Sequence, residues 1–369
     1  MMTKCFILAG EKSGDLHAGN LVKALKVKDA KVSFKGWGGS EMENAGVEIL
    51  QHYSVLSYMG LDFLWSLREI RRVFATCKEQ ILTFNPDVLV LVDNSGFNMR
   101  IAKWAKKNGF TIVYYIAPKT WAWNSSRNRA IKKVVDKLLV ILPFERDYFS
   151  SRGIKTAYVG NPLTERIDDF NPDPFFRKSL PKECEKVVAL LPGSRKGEIE
   201  RMVGEMKLLA EKFSDVLFVV AGVSEINKSL YDGFIRISNC ELVFDQTYDL
   251  LSIADAAIVT SGTATLETAL FKVPQIVVYR TSALTYFIAK SMIKVKYISL
   301  VNLILDKMAV EELIQDKYSS HQLILSLRGL LKDTKIRNEQ LESYDVLKTK
   351  IGTHKASEEA ANEIYKMLR

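Results

Sequence analysis

"FILAGEKSGDLHA" (residues 6–18) and "ALLPGSRKGEIE" (residues 189–200) have the same organisation. Each begins with an apolar run of strand length, continues through a glycine-containing loop and ends in a polar helix start. Similar apolar runs alternate with helical segments along the chain, as in parallel sheets that are covered on both faces. The sequence therefore predicts an α/β protein with two doubly wound, Rossmann-like domains. Ligands are expected beyond the C-terminal strand ends, in a central cleft that both domains face.

The chain has 369 residues, which is too long for one ordinary core. Segment 161–185 interrupts the alternation and carries four of the nine prolines, so it is the predicted link between the domains. We expect an acceptor-binding domain in residues 1–165 and a nucleotide-binding domain in residues 166–345. A helical tail, residues 346–369, is expected to pack back on the first domain.

The composition, 47% hydrophobic and 26% charged, is that of a globular protein. The apolar runs are shorter than a membrane span and the N-terminus has no signal-peptide pattern, so we expect a cytoplasmic protein. Four cysteines and four histidines are scattered, which indicates neither a disulfide framework nor a metal site. The net charge of +9 favours an anionic partner, either phosphate groups or an acidic membrane surface. No nucleic-acid motif accompanies the charge, and ordinary solvated helix faces are the alternative.

"TSGTATLETAL" (residues 260–270) follows a buried apolar strand and predicts a tight turn at Ser261, Gly262 and Thr263 before a helix. Backbone N–H groups at such a helix start are unpaired, and the helix dipole favours an anion there. Glu267, one turn into the helix, could accept hydrogen bonds from a ligand diol. The alternative is a capped helix with Glu267 on a solvated face, and the stretch by itself leaves both open.

Acidic and basic side chains follow other predicted strands. Asp93, in "VLVDNSGFNMR", either caps the next helix or acts as a base that takes a proton from an attacking hydroxyl. "AGEKSGD" places Glu11, Ser13 and Asp15 after the first strand but has neither a P-loop nor a hydrolase elbow pattern. Arg195 projects beside a helix start, where its guanidinium suits a diphosphate.

A series of motifs in a specific order and spacing runs nearly from end to end: "AGEKSGDLHAGNL", "MGLDFLWSLREI", "DNSGFNMRIAKWAKKNG", "YYIAPKTWAWNSSR", "ILPFERDYF", "VGNPL", "LLPGSRKGEIE", "SGTATLETAL", "YRTSALTYFIAK" and "YISLVNLI". They make the chain similar to the lipid-A-disaccharide synthases. The resemblance implies the two-domain GT-B glycosyltransferase fold. It also implies the substrates: a UDP-2,3-diacylglucosamine donor and a 2,3-diacylglucosamine 1-phosphate acceptor, which give a β-1,6-linked disaccharide phosphate and UDP.

The resemblance also implies roles for residues. Glu267 would accept the ribose hydroxyls, Arg195 would neutralise the leaving phosphates and Asn302 would contact the nucleotide. Asp93 would be the base for the acceptor 6-hydroxyl. The catalytic candidates are Asp93, Glu11 and Asp15; the substrate-binding candidates are Ser13, Gly14, Asn98, Arg195, Ser261, Gly262, Thr263, Glu267, Tyr279, Arg280 and Asn302.

Inversion by one in-line displacement needs one base and a stabilised leaving group, and GT-B enzymes commonly work without a metal. We therefore expect no cofactor. Two positions depart from the family pattern: Gly96 stands where many members have an acid, and Asn161 where many have a histidine. Proton transfer through either position is thus not available to this chain.

Two other classes of protein remain as alternatives. One is another GT-B sugar-nucleotide enzyme, such as a UDP-N-acetylglucosamine 2-epimerase, which has no lipid acceptor. The other is a non-catalytic two-domain sugar-binding protein, a class that is usually exported.

Segment 61–74 is the predicted contact with a membrane. Phe63, Leu67, Ile70 and Phe74 form one narrow helical stripe, which we assign to the core. The other side of the helix suits an anionic bilayer surface; its predicted contact residues are Leu61, Leu64, Trp65, Arg68, Arg71 and Arg72. The alternative is a helix buried on both faces with paired arginines. We expect a peripheral enzyme on the inner face of the inner membrane, and a homodimer as its assembly.

Overall fold

A computed structural model describes residues 3–56, 67–122, 125–181, 185–292 and 295–368. Contacts within the chain divide it into two units. The first consists of Met1–Glu165 with Ile351–Arg369, and the second of Arg166–Lys350.

The first unit contains a parallel sheet in the order β3-β2-β1-β4-β5-β6-β7. Its strands are β1 (Lys4–Ala9), β2 (Ser33–Gly38), β3 (Glu48–His52), β4 (Val88–Val92), β5 (Ile112–Tyr115), β6 (Lys137–Val140) and β7 (Thr156–Tyr158). The helices up to the unit boundary are α1 (Lys12–Lys28), α2 (Ser40–Asn44), α3 (Leu67–Phe84), α4 (Ser95–Lys107), α5 (Arg127–Val134), α6 (Pro143–Ser150) and α7 (Pro162–Asp168).

The second unit contains a parallel sheet in the order β10-β9-β8-β11-β12-β13. Its strands are β8 (Lys186–Leu191), β9 (Val216–Gly222), β10 (Cys240–Phe244), β11 (Ala256–Thr260), β12 (Gln275–Tyr279) and β13 (Glu311–Ile314). The helices that follow α7 are α8 (Phe176–Ser179), α9 (Lys196–Ala210), α10 (Asp232–Ile235), α11 (Thr247–Ile253), α12 (Thr263–Leu270), α13 (Ala283–Met292), α14 (Leu300–Leu305), α15 (Ser320–Lys332), α16 (Thr334–Ile351) and α17 (Ala356–Leu368).

Side chains alternate along each strand, so the first sheet has two faces. Each face is buried in its own core cluster. In β1, Phe6 and Leu8 pack in a cluster with residues of α3 and α4. Ile7 packs on the opposite face with Leu21 of α1. The second sheet has the same arrangement, with separate clusters on its two faces. The expected α/β fold with two doubly wound parallel sheets is therefore confirmed.

The last helix, α17, belongs to the first unit. Ile364 lies in the same core cluster as residues of α1. Glu165, which is buried, accepts hydrogen bonds from the Ser357 backbone N–H and hydroxyl, at 3.2 and 2.6 Å, and so fixes the N-terminus of α17. The chain re-enters the first unit at Ile351, where α16 ends.

Candidate functional site

Two carboxyl groups meet at the C-terminal edge of the first sheet. Asp93 follows β4 and Glu11 begins α1 after the neighbouring strand β1, with Ala9 paired to Val92. Glu11 lies near enough to Asp93 for its charge to act on the Asp93 carboxyl. Burial, the largest cause, and the negative charge of Glu11 raise the pKa of Asp93 to about 6, and the positive charge of Lys119 opposes the rise. A carboxyl with such a pKa can accept a proton near neutral pH.

The backbone at Asp93 is held in an uncommon conformation. Asp93 and Asn94 both have left-handed φ angles, 47° and 36°. The Tyr114 hydroxyl and the Asn98 amide both donate to the Asp93 carbonyl, at 2.5 and 2.9 Å. Gly10 leaves room for this turn, because a Cβ at Gly10 would lie 1.9 Å from the Asn94 amide nitrogen. Backbone strain of this kind persists only where surrounding contacts fix it, commonly at functional sites.

Two candidates of the first unit form hydrogen bonds with backbone groups of that unit, and their part in the reaction stays a prediction. Asn98 is 0% exposed, and its amide donates to the carbonyls of Val92 and Asp93. Asp15 is 2% exposed, and its carboxylate accepts hydrogen bonds from backbone N–H groups at the start of α2, at 2.6–3.2 Å. Asn98 therefore positions Asp93, and Asp15 caps α2, because an anion there meets unpaired N–H groups.

The remaining first-unit candidates differ in exposure. Glu11 and Ser13 are exposed at the start of α1, where they are accessible to a ligand, whereas Gly14 is buried. Gly96 is exposed in the first turn of α4, and a Cβ there would meet nothing within 4 Å. Asn161 is buried and donates to the Ile141 carbonyl at 3.1 Å.

Glu145 is a titratable residue of this edge that our sequence analysis missed. It is 1% exposed and accepts hydrogen bonds from the Trp121 indole and the Leu142 backbone, at 2.9 and 3.0 Å. Burial raises the pKa of Glu145 to about 7, although these hydrogen bonds favour the charged form. An acid shortly after an apolar strand, as in "KLLVILPFER", was the signal that could have identified it.

The turn into α12 provides backbone N–H groups at the C-terminal edge of the second sheet. Gly262 and Thr263 are exposed at the helix start, and no described side chain caps it. A Cβ at Gly262 would meet nothing within 4 Å, so the space beside the turn is open. The Ser261 hydroxyl donates to the Ile298 carbonyl at 2.9 Å, which ties the turn to a neighbouring loop.

Arg195 and Glu267 lie at the same edge. Arg195 precedes α9, and its side chain is 81% exposed and paired with Glu198 at 3.0 Å. Such an exposed pair contributes little to stability, so the guanidinium is available to an anion. Glu267 is half-buried, and one carboxylate oxygen accepts a hydrogen bond from the Tyr248 hydroxyl at 2.5 Å.

Asn302 and Arg280, two of the predicted substrate-binding residues, form hydrogen bonds within the second unit, and their contact with substrate stays a prediction. Asn302 is 0% exposed; its amide donates to the Val310 carbonyl and Glu312 and accepts from two backbone N–H groups. All its hydrogen-bonding capacity is used to hold the turn before β13. Arg280 donates to Glu205 and to the Tyr318 carbonyl. Tyr279 is half-buried at the end of β12.

The predicted membrane contact lies partly outside the described residues. This applies to Leu61, Leu64 and Trp65, and to Phe63 of the predicted core stripe. Phe74 of that stripe stacks on Phe97 with ring centroids 4.6 Å apart. The arginines of α3 are exposed: Arg68, Arg71 and Arg72. Across the described ranges, no helix is both long and apolar enough to cross a bilayer.

The two parallel α/β units, each with helices on both faces of its sheet, define the class of GT-B folds. A UDP-GlcNAc 2-epimerase from Neisseria meningitidis, solved with UDP-GlcNAc bound, matches with a TM-score of 0.70 and 13% identity. The match covers 99% of this chain and 100% of that one. The kitacinnamycin glycotransferase matches with a TM-score of 0.67 and 13% identity, covering both chains fully. Likeness at this identity establishes the fold alone.

Sequence comparisons identify the family. The model described as "Lipid-A-disaccharide synthetase" matches residues 5–365. The lipid-A-disaccharide synthase of Geobacter sulfurreducens is 33% identical, with 99% of this chain and 97% of the relative covered. That of Syntrophus aciditrophicus is 36% identical, with 96% and 95% covered. The chain belongs to the lipid-A-disaccharide synthase family.

Proposed function

We propose that the chain transfers 2,3-diacylglucosamine from its UDP derivative to the 6-hydroxyl of 2,3-diacylglucosamine 1-phosphate. The products are the β-1,6-linked disaccharide 1-phosphate and UDP. Membership of a glycosyltransferase family supports this reaction. The half-buried Asp93 carboxyl at the C-terminal end of β4, with its raised pKa, is the observation that carries it at the level of residues.

In this proposal Asp93 is the general base. The acceptor O6 forms a bond to donor C1 while the bond from C1 to the diphosphate oxygen breaks, and Asp93 takes the O6 proton. A pKa of about 6 leaves Asp93 ionised at neutral pH yet basic enough to accept that proton. The negative charge of Glu11 contributes to the raised pKa of this base. Asn98 and Tyr114 act as positioning residues through the Asp93 carbonyl.

The second unit holds the nucleotide. The open N-terminus of α12 favours the diphosphate, since the N–H groups of Gly262 and Thr263 and the helix dipole all attract an anion. Arg195 adds a mobile positive charge that stabilises the leaving UDP. Glu267 accepts hydrogen bonds from the ribose hydroxyls.

Peripheral attachment to the anionic inner face of the inner membrane completes the proposal, because both substrates carry acyl chains. The exposed arginines of α3 support an electrostatic contact with lipid phosphates. The homodimer stays a prediction, for which sedimentation of the purified enzyme is the direct measurement.

A UDP-sugar 2-epimerase is the second candidate, because solved epimerases share the fold. Purified protein incubated with both proposed substrates distinguishes the two. We expect the mass of the disaccharide 1-phosphate and a β-1,6 linkage by NMR. The Asp93→Asn variant, purified in the same way, is the control. Conversion of the UDP-sugar to an epimer, with no disaccharide, would contradict the proposal.

A further inference from the structure

Tyr248 and Glu267 form a side-chain pair beside the turn into α12. Tyr248 lies in α11 and donates its hydroxyl proton to one Glu267 oxygen, with 2.5 Å between the two oxygens. Burial raises the pKa of Tyr248, and the adjacent carboxylate raises it further. The phenol therefore remains a protonated donor throughout the range in which the enzyme works.

The Tyr248 ring is fixed by aromatic packing. Its centroid lies 5.3 Å from that of Phe170 and 5.1 Å from that of Phe271, with interplanar angles of 89° and 60°. The Arg166 guanidinium lies over the ring, 4.8 Å from its centroid. These contacts involve only the ring, so a phenylalanine would keep them. The hydroxyl, by contrast, donates its hydrogen bond to Glu267.

The geometry leaves the second Glu267 oxygen for a ligand. In the described part of the chain, the only hydrogen bond to this carboxylate comes from Tyr248. A carboxylate held through one oxygen has a restricted orientation, and its other oxygen still has lone pairs for two hydroxyl groups. A free glutamate would lose rotamer entropy on binding a diol, and a held glutamate has already lost it.

We propose that Tyr248 is the positioning residue that makes Glu267 selective for the vicinal hydroxyls of a ribonucleoside diphosphate. The inference rests on the proposed role of Glu267 and adds the residue that orients it. Tyr248 touches no substrate in this scheme. Its hydroxyl acts through the carboxylate and contributes equally to the ground state and the transition state.

The test compares the affinities of UDP and 2′,3′-dideoxy-UDP by calorimetry in the parent and in Tyr248→Phe. Loss of the hydrogen bond that restrains Glu267 should weaken UDP binding about 2–12-fold, because the glutamate must then be ordered when the nucleotide binds. Dideoxy-UDP binding should change less than about twofold, because no hydroxyl meets Glu267. In turnover, the donor KM should rise while kcat stays constant, the pattern expected when uniform binding is lost.

Two further variants separate the possible failures. Glu267→Ala should abolish the preference for UDP over the dideoxy analogue; if the preference survives, the proposed role of Glu267 is wrong. Tyr344→Phe, a matched control, removes a buried hydroxyl of the same unit that donates to Gln340. It should leave both affinities unchanged. If Glu267→Ala loses the preference and Tyr248→Phe keeps it, or if Tyr248→Phe weakens both nucleotides equally, the positioning role is refuted.

Discussion

Replacing Asp93 with asparagine should stabilise the first unit while it abolishes turnover. The pKa of Asp93 is raised from 3.8 to about 6 in the folded protein. Each pKa unit corresponds to about 1.4 kcal/mol, so the ionised carboxylate costs up to about 3 kcal/mol of folding free energy. Solvent screening at the partly exposed carboxyl reduces this cost. We therefore expect the free energy of unfolding of Asp93→Asn to exceed that of the parent by roughly 1–3 kcal/mol at pH 7.5.

The sign of the pH dependence follows from proton binding. Between about pH 4 and pH 6 the folded protein binds the Asp93 proton more tightly than the unfolded chain does, so the parent loses stability as the pH rises through this window. The advantage of Asp93→Asn should therefore be near zero at pH 4 and complete above pH 6.5. Turnover at pH 7.5 should fall by about 10²–10⁴-fold, because the base is lost.

Tryptophan fluorescence during urea unfolding measures the effect in the relevant unit. All five tryptophans precede residue 166, so the signal reports the first unit alone. Asp147→Asn is the matched control, because Asp147 is exposed on α6 and should have almost no effect on stability. Equal or lower stability of Asp93→Asn at pH 7.5, or a variant that retains turnover, would refute the reasoning.

The other predictions concern single interactions. Lys119→Met should move the acid limb of the kcat/KM profile to higher pH, because Lys119 lowers the pKa of Asp93; Lys133→Met, at an exposed lysine of α5, should not. Arg195→Ala should weaken UDP binding by roughly 1.5–3 kcal/mol in calorimetry, and unchanged affinity would remove Arg195 from the site. Asn302→Ala should lower the free energy of unfolding by roughly 1–3 kcal/mol, because the Val310 backbone groups lose their hydrogen-bond partner. A loss of UDP affinity at unchanged stability would instead indicate that Asn302 contacts the nucleotide directly. Glutamine at Arg68, Arg71 and Arg72 of α3 should weaken the binding free energy to anionic vesicles at low salt by about 1 kcal/mol per residue, measured by co-sedimentation. Equal sedimentation of variant and parent would exclude this contact.

The order of strands and helices could be predicted from the sequence because it depends on short-range patterns. Apolar runs such as Val88–Val92 are buried on both faces of a parallel sheet and need no knowledge of their neighbours to be recognised. The glycine-containing turns after β1, β8 and β11 begin helices for the same local reason. The resemblance to one family likewise lies in the linear order of motifs.

The roles of individual polar residues depended on the tertiary structure. Asp15, Asn98 and Asn302 all occur in motifs that suggested substrate contacts, yet their polar atoms bind backbone groups. For Asp15 those groups lie 24–27 residues away in the chain. A local pattern shows that a polar side chain follows a strand. It does not show whether a neighbouring loop supplies N–H groups that donate hydrogen bonds to that side chain.

The same reason explains the residues that sequence analysis missed. Glu145 is buried because Trp121, from the loop after the adjacent strand, covers it. Tyr248 of α11 donates a hydrogen bond to Glu267 of α12, which lies 19 residues further along the chain. The sequence by itself determined the fold and the strand ends at which the candidate site residues lie. Only the tertiary structure decided which of these side chains form hydrogen bonds within the protein and which remain exposed to solvent, because burial and hydrogen-bond partners come from distant segments.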